Sequence, residues 1–181
     1  GGLALTLGRL ARLGVPVVDA LVLTTDLVDR IRAAIAGGKS MDRVWAVLPR
    51  RARRELDAFL AGTKGKVVVR ASFTDHGPRH SYAGVFPDVR DVDPKSREAL
   101  VAAVLAVVES AEDAIGREYR RRRGAGPGVA RAVVVQRQLD AETFGAIASR
   151  GPLCAADSVL VDVARRRSPL RSFLYDLLEG K

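Results

Sequence analysis

Residues 66–73, KVVVRASF, decide how this chain is read. Three successive valines, Val67 to Val69, follow Gly65 and lead into a polar stretch, the pattern of a buried strand. Such a strand delivers Arg70 and Ser72 at its end. Further on, Tyr82 to Val92 predicts the partner strand. Between the two, Asp75-His76-Gly77-Pro78-Arg79-His80 has turn chemistry throughout.

Upstream the pattern is helical. Leu3, Leu7, Leu10 and Leu13 share a stripe that Gly14 ends. Val15 to Leu23 reads as extended, and Thr24 or Thr25 caps a second helix running to about Ala36. Two shorter helical patterns between Ser40 and Ala61 are broken at Pro49. Downstream, Asp93 as cap and Pro94 as first helical residue open a helix whose Leu100, Val101, Val104, Leu105 and Val108 share a face. A further helix is predicted from about Ala111 to Arg123, ending at an exposed, mobile glycine-rich connector, residues 124–128. Ala130 to Gln136, Thr143 to Ala148 and Val159 to Val163 are strand candidates, and Leu170 to Leu178 reads as a last short helix. The fold class is therefore α+β. One domain over residues 1–181 is expected, with a helical part to residue 65 and a strand and helix part from 66 to 181.

Composition bounds the function. With 48% hydrophobic and 28% charged residues among 181, the chain has the make-up of a folded globular domain. The single cysteine, Cys154, cannot close an internal disulfide, and a reducing cytoplasm is the expected setting. No apolar run reaches the length of a membrane span, and the N-terminus lacks signal-peptide features. A net charge of +9 admits a nucleic acid, an anionic membrane surface or a phosphorylated ligand as partner. Arg120 to Arg123 and Arg165 to Arg167 could grip nucleic acid phosphates, but aromatic residues at 5% offer little for base stacking. His76 and His80 are four apart, yet Gly77-Pro78 between them prevents a shared helical face for a metal. Trp45 and Cys154 read as packing residues.

Four segments recur in an order that carries more information than any one of them. They are GGLALTLGRLARLGVPV with LVLTT, VVVRASFTDHGPRHSYAGVF, AIGREYRRRRG, and AVVVQRQLDAETFGAIASRGP. Together, over about residues 1 to 155, they resemble the N-terminal ATP-binding, ATP-grasp-like domain of the family that includes phosphoenolpyruvate synthase, pyruvate phosphate dikinase and rifampicin phosphotransferase. The resemblance implies a nucleotide-binding lobe with a mixed, mainly antiparallel sheet and flanking helices. It implies that Arg70 contacts ATP phosphates, a role suited to the fixed fork of a guanidinium. Ser72 and Gly84 would line the same pocket, and Gln136, Arg137, Gln138 and Leu139 would form a hinge whose backbone meets the adenine edge.

The departures are specific. Leu3 stands where the family has a lysine, Ala71 where it has the first serine of the arginine motif, Val85 where it has a glutamine, and Gln138 where it has a methionine. Val18, Asp19 and Ala20 replace the Pro-x-Gly of the early turn. The lost lysine removes a charge-assisted contact worth roughly 1.5–3 kcal/mol. The family's magnesium ligands lie beyond the position of Pro152, and Asp157, Asp162 and Asp176 make no magnesium motif. The expectation is thus an ATP-binding module in which magnesium ligands, a phosphohistidine domain and a phosphoenolpyruvate-binding part come from further domains or a second chain. Two alternatives stand beside it: a catalytically dead paralogue that serves as a partner-binding or regulatory surface, and a basic nucleic-acid-binding domain.

Overall fold

The computed structural model describes residues 1–74, 85–122, 129–148, 158–165 and 171–176. Two compact units divide the chain, Gly1–Gln138 and Leu139–Lys181.

The first unit holds helices α1 (Gly2–Arg12), α2 (Thr25–Ala36), α3 (Met41–Ala46), α4 (Arg50–Gly62), α5 (Arg97–Glu109) and α6 (Ala114–Arg122), with a 3-10 turn at Ser110–Glu112. Its strands are β1 (Ala20–Leu23), β2 (Val67–Phe73), β3 (Val89–Val92) and β4 (Arg131–Arg137). They form one sheet in the order β1-β4-β2-β3 with every pairing antiparallel. The second unit is a separate antiparallel sheet of β5 (Thr143–Ala148), β6 (Ser158–Arg165) and β7 (Arg171–Asp176) in that order. The chain is therefore α+β, with antiparallel pairing throughout the described strands in place of a mixed sheet.

Local chemistry accounts for the helices. Gly14, at φ 74°, takes the left-handed turn that ends α1, and the Val15 amide returns to the Leu10 carbonyl at 3.0 Å. In α2, Leu27, Val28, Ile31 and Ala34 recur at helical spacing and are all buried. Pro49 sits at the N-cap of α4, where its missing N–H costs nothing and where α3 cannot continue.

The period of two along β2 sets the two faces of the first sheet. Val67, Val69, Ala71 and Phe73 join the core, as do Val133 and Val135 of β4. Against this face pack α2 and α5. Helix α5 is buried at Leu100, Val101, Ala103, Val104, Val107 and Val108, more of its circumference than one stripe, which suits a helix in the middle of a layer. Phe73 is fully buried and meets Phe86 edge to face with ring centres 4.8 Å apart. Trp45, 3% exposed, donates its indole N–H to Asp57 at 2.9 Å and carries the Arg97 guanidinium 4.9 Å from its ring centre.

Three expectations need correction. The partner strand of β2 is Val89–Val92, because residues 85–88 form a turn and an irregular segment that includes Pro87, which has no N–H for a ladder. Helix α5 starts at Arg97 with Ser96 as its cap, the Ser96 hydroxyl accepting the Ala99 amide at 3.0 Å. Asp93 instead accepts the Lys95 amide at 2.9 Å, a local turn that uses up the side chain before the helix begins. The segment expected as a last helix is β7, its backbone paired with β6 from Ser158↔Asp176 to Val163↔Arg171. The aromatic and branched-chain content of RSFLYD suits a strand once β6 offers an edge. Residues 75–84 and 123–128, which contain the expected turn, His76, His80, Gly84 and the glycine connector, lie outside the described residues, as do Pro152, Cys154 and Asp157.

Among the described residues no helix is long and apolar enough to cross a membrane.

Candidate functional site

The face of the first sheet that turns away from α2 and α5 carries the polar side chains. Alternation along β2 puts Val68, Arg70 and Ser72 on it, and the register with β4 places them beside Gln136, Val134 and Ala132 respectively. Three residues singled out by sequence, Arg70, Ser72 and Gln136, therefore share one surface. Arg137 falls at the opposite parity. It pairs with Val67, on the core side, where its buried Nε finds no hydrogen-bond partner among the described residues. Gly84 lies outside the described residues. Leu139, 54% exposed, belongs to the second unit.

Ser72 is fully buried, and its hydroxyl accepts the amide of Ala4 at 3.0 Å. Ala4 lies in the first turn of α1, whose amides have no partners within the helix. A strand side chain thus does the work of a cap, and it fixes the N-terminus of α1 at the end of β2. The approach is close: a Cβ at Gly1 would fall on the carbonyl oxygens of Ser72 and Phe73. Gly145 in β5 is confined in the same way, by the Asp162 carbonyl oxygen.

Arg70 is about one-third exposed, and its Nε donates to Asp88 Oδ2 at 3.1 Å. Asp88 directly precedes β3, and Val69↔Val89 pairing sets it next to Arg70 across the ladder. Gln136 is 8% exposed and its amide nitrogen donates to the Val18 carbonyl at 3.3 Å, tying β4 to the segment that leads into β1. Gln138 makes a two-point clamp on Asp91, accepting its amide at 2.8 Å and donating to its carboxylate at 2.7 Å. Asp91 is held there at φ 59°, a left-handed conformation that costs a non-glycine residue.

The backbone of the hinge segment is already engaged. The Arg137 amide donates to the Asp19 carbonyl and the Gln138 amide to the Lys66 carbonyl, each at 2.9 Å, because β4 has neighbours on both sides. The positions expected to meet an adenine edge thus spend these N–H groups within the sheet. Sequence reasoning missed Asp88 and Asp91. The signal for Asp88 was its place before a valine that pairs with Val69, visible only once the register is known.

The first basic run is partly internal. Arg120 is 9% exposed, donates to the Ala111 carbonyl at 2.6 Å and stands 3.7 Å from Glu112, which also pairs with Arg131. Arg121 and Arg122 both bind Glu118 at 2.7 Å, and these hydrogen bonds, Arg121 first, hold its carboxyl down at about 2. A cleft of about 270 Å³ between the end of α4 and the start of α5 is lined by Asp57, Thr63, Lys95 and Arg97 among others, none of them on the outer face described above. Among the described residues no group of three or more His, Cys, Asp or Glu side chains could hold a metal ion. No protein-family model matches the chain, and no curated protein matches it significantly.

Proposed function

We propose that this chain is the ATP-binding module of a phosphotransferase related to phosphoenolpyruvate synthase and pyruvate phosphate dikinase, with an ATP-grasp-like lobe, acting in the cytoplasm. The observation that carries the reading is that Arg70 and Ser72 share one face of the sheet, with the N-terminus of α1 held on Ser72. Helix N-termini carry partial positive charge, and a guanidinium on the same face suits a chain of phosphates. Arg70 binds phosphate oxygens in this reading, while Ser72 acts indirectly by holding α1 in place. Magnesium and the phosphohistidine and phosphoenolpyruvate chemistry come from further domains or a second chain.

Isothermal calorimetry on the folded chain tests it. ATP and ADP are expected to bind, and Arg70→Ala is expected to weaken ATP by at least about tenfold, the loss of one charge-assisted contact of roughly 1.5–3 kcal/mol. A folded protein that takes up neither nucleotide overturns the reading.

A second reading, a paralogue that has lost nucleotide binding and serves as a partner-binding surface, is favoured by a different observation. Leu3 replaces a cation, and the Arg137 and Gln138 amides are spent within the sheet. It expects no nucleotide binding and a stable complex with a second protein in pull-downs from the native host.

A further inference from the structure

The contact between Arg70 and Asp88 bears directly on how tightly such a site would hold its ligand. Asp88 Oδ2 lies 3.1 Å from Arg70 Nε, the distance at which a phosphate oxygen would also sit. The ladder makes this contact easy to form. Antiparallel pairing of Val69 with Val89 sets residues 70 and 88 side by side on the same face of the sheet. Both side chains remain about one-third exposed, at 35% and 33%, so a ligand can reach the guanidinium and the carboxylate can turn away into water.

We propose that Asp88 is the affinity-setting residue of this site: its carboxylate occupies the Arg70 guanidinium in place of a phosphate oxygen, and a nucleotide binds by displacing it. This rests on the nucleotide reading above. The competition is uneven in a useful way. A single carboxylate offers one negative charge, whereas a triphosphate brings several and can pair two oxygens with the guanidinium fork. The site therefore favours a polyphosphate, whose larger charge offsets the ion pair it breaks.

A double-mutant cycle on the full chain tests this, with ATP titrated calorimetrically into the native protein, Asp88→Asn, Arg70→Ala and the double variant. Asp88→Asn is expected to bind ATP about fivefold more tightly, the factor equal to the ~1 kcal/mol upper range of an exposed ion pair. The gain is expected to vanish in the Arg70→Ala background. Circular dichroism establishes that each variant is folded, and Asp88→Ala replaces Asp88→Asn should the latter not fold. Native protein that binds ATP while Asp88→Asn binds equally or more weakly overturns the proposal and leaves the nucleotide reading intact. A gain that persists without Arg70 also overturns it, since Asp88 would then act on the ligand by repulsion alone. If neither the native chain nor Asp88→Asn binds ATP when folded, the nucleotide reading falls and this inference falls with it.

Discussion

Ser72 shows how one side chain can be read two ways, as a pocket wall from its place in a motif and as a cap from its contacts. Its hydroxyl, fully buried, accepts an amide of α1 that would otherwise be left without a partner. Replacing it by alanine leaves that amide unsatisfied in a part-buried place, and the cost is expected to be about 1–2 kcal/mol. Urea unfolding checks this: the midpoint falls with an unchanged slope, and a midpoint equal to that of the native chain would show that water serves the amide as well. Sequence singled out Ser72 and Arg70 because a valine run must end on them, and that much was legible. Their partners were not. Ala4 lies 68 residues from Ser72, and Asp88 lies 18 residues from Arg70, and both contacts exist only because a helix end and a strand register bring them together. The same holds for Arg137, whose parity in β4 pairs it with Val67 while Gln136, its neighbour, lies on the opposite face beside Val68.

At the scale of elements, local pattern succeeded where a backbone constraint decided the matter and failed where a side-chain or tertiary contact did. The start of α4 follows from Pro49, and Thr24, one of the two threonines expected there, takes the N-cap position of α2 without a side-chain cap bond. The start of α5 was expected at Asp93 with Pro94, but the Asp93 carboxylate is spent on the Lys95 amide and Ser96, three residues on, holds the cap. The consequence can be measured. Ser96→Ala removes the acceptor of the Ala99 amide and is expected to cost about 1 kcal/mol, whereas Asp93→Ala, which touches only an exposed turn, is expected to cost less than half as much. Equal losses, or a larger one at Asp93, would return the cap to the earlier position. Strand β7 failed for another reason. A six-residue segment whose apolar and aromatic content is Phe173, Leu174 and Tyr175 carries no period long enough to separate helix from strand, and pairing with β6, a tertiary fact, decides it.

Across the whole molecule the hydrophobic core is unevenly shared. Its buried cluster runs from Leu23 to Val135, and every member lies in Gly1–Gln138. Among the described side chains after Gln138 only Ala164 is a buried hydrophobic, while Phe144 and Ile147 are 58% and 73% exposed, and alternation along β5 puts those two on opposite faces of its sheet. Composition averages over such a difference, which is why the sequence, at 48% hydrophobic throughout, suggested one domain without showing where its core was concentrated. Fully burying side chains the size of Leu23, Ile31, Leu56, Phe73 and Leu100 is worth about 1.5–3 kcal/mol each, and all five lie before residue 139. A chain ended at Gln138 is therefore expected to keep a cooperative thermal transition with native-like helical and strand signals, since a segment of that size with its core complete can fold alone. Residues 139–181 made separately are expected to melt without a cooperative step, because a three-stranded sheet with apolar side chains exposed on both faces buries too little to offset the ordering of its backbone. Differential scanning calorimetry of the two pieces beside the full chain distinguishes the outcomes. A broad, non-cooperative melt of the longer piece would mean that the segment after Gln138 completes its core, and the nucleotide experiments above would then have to be read on the intact chain alone.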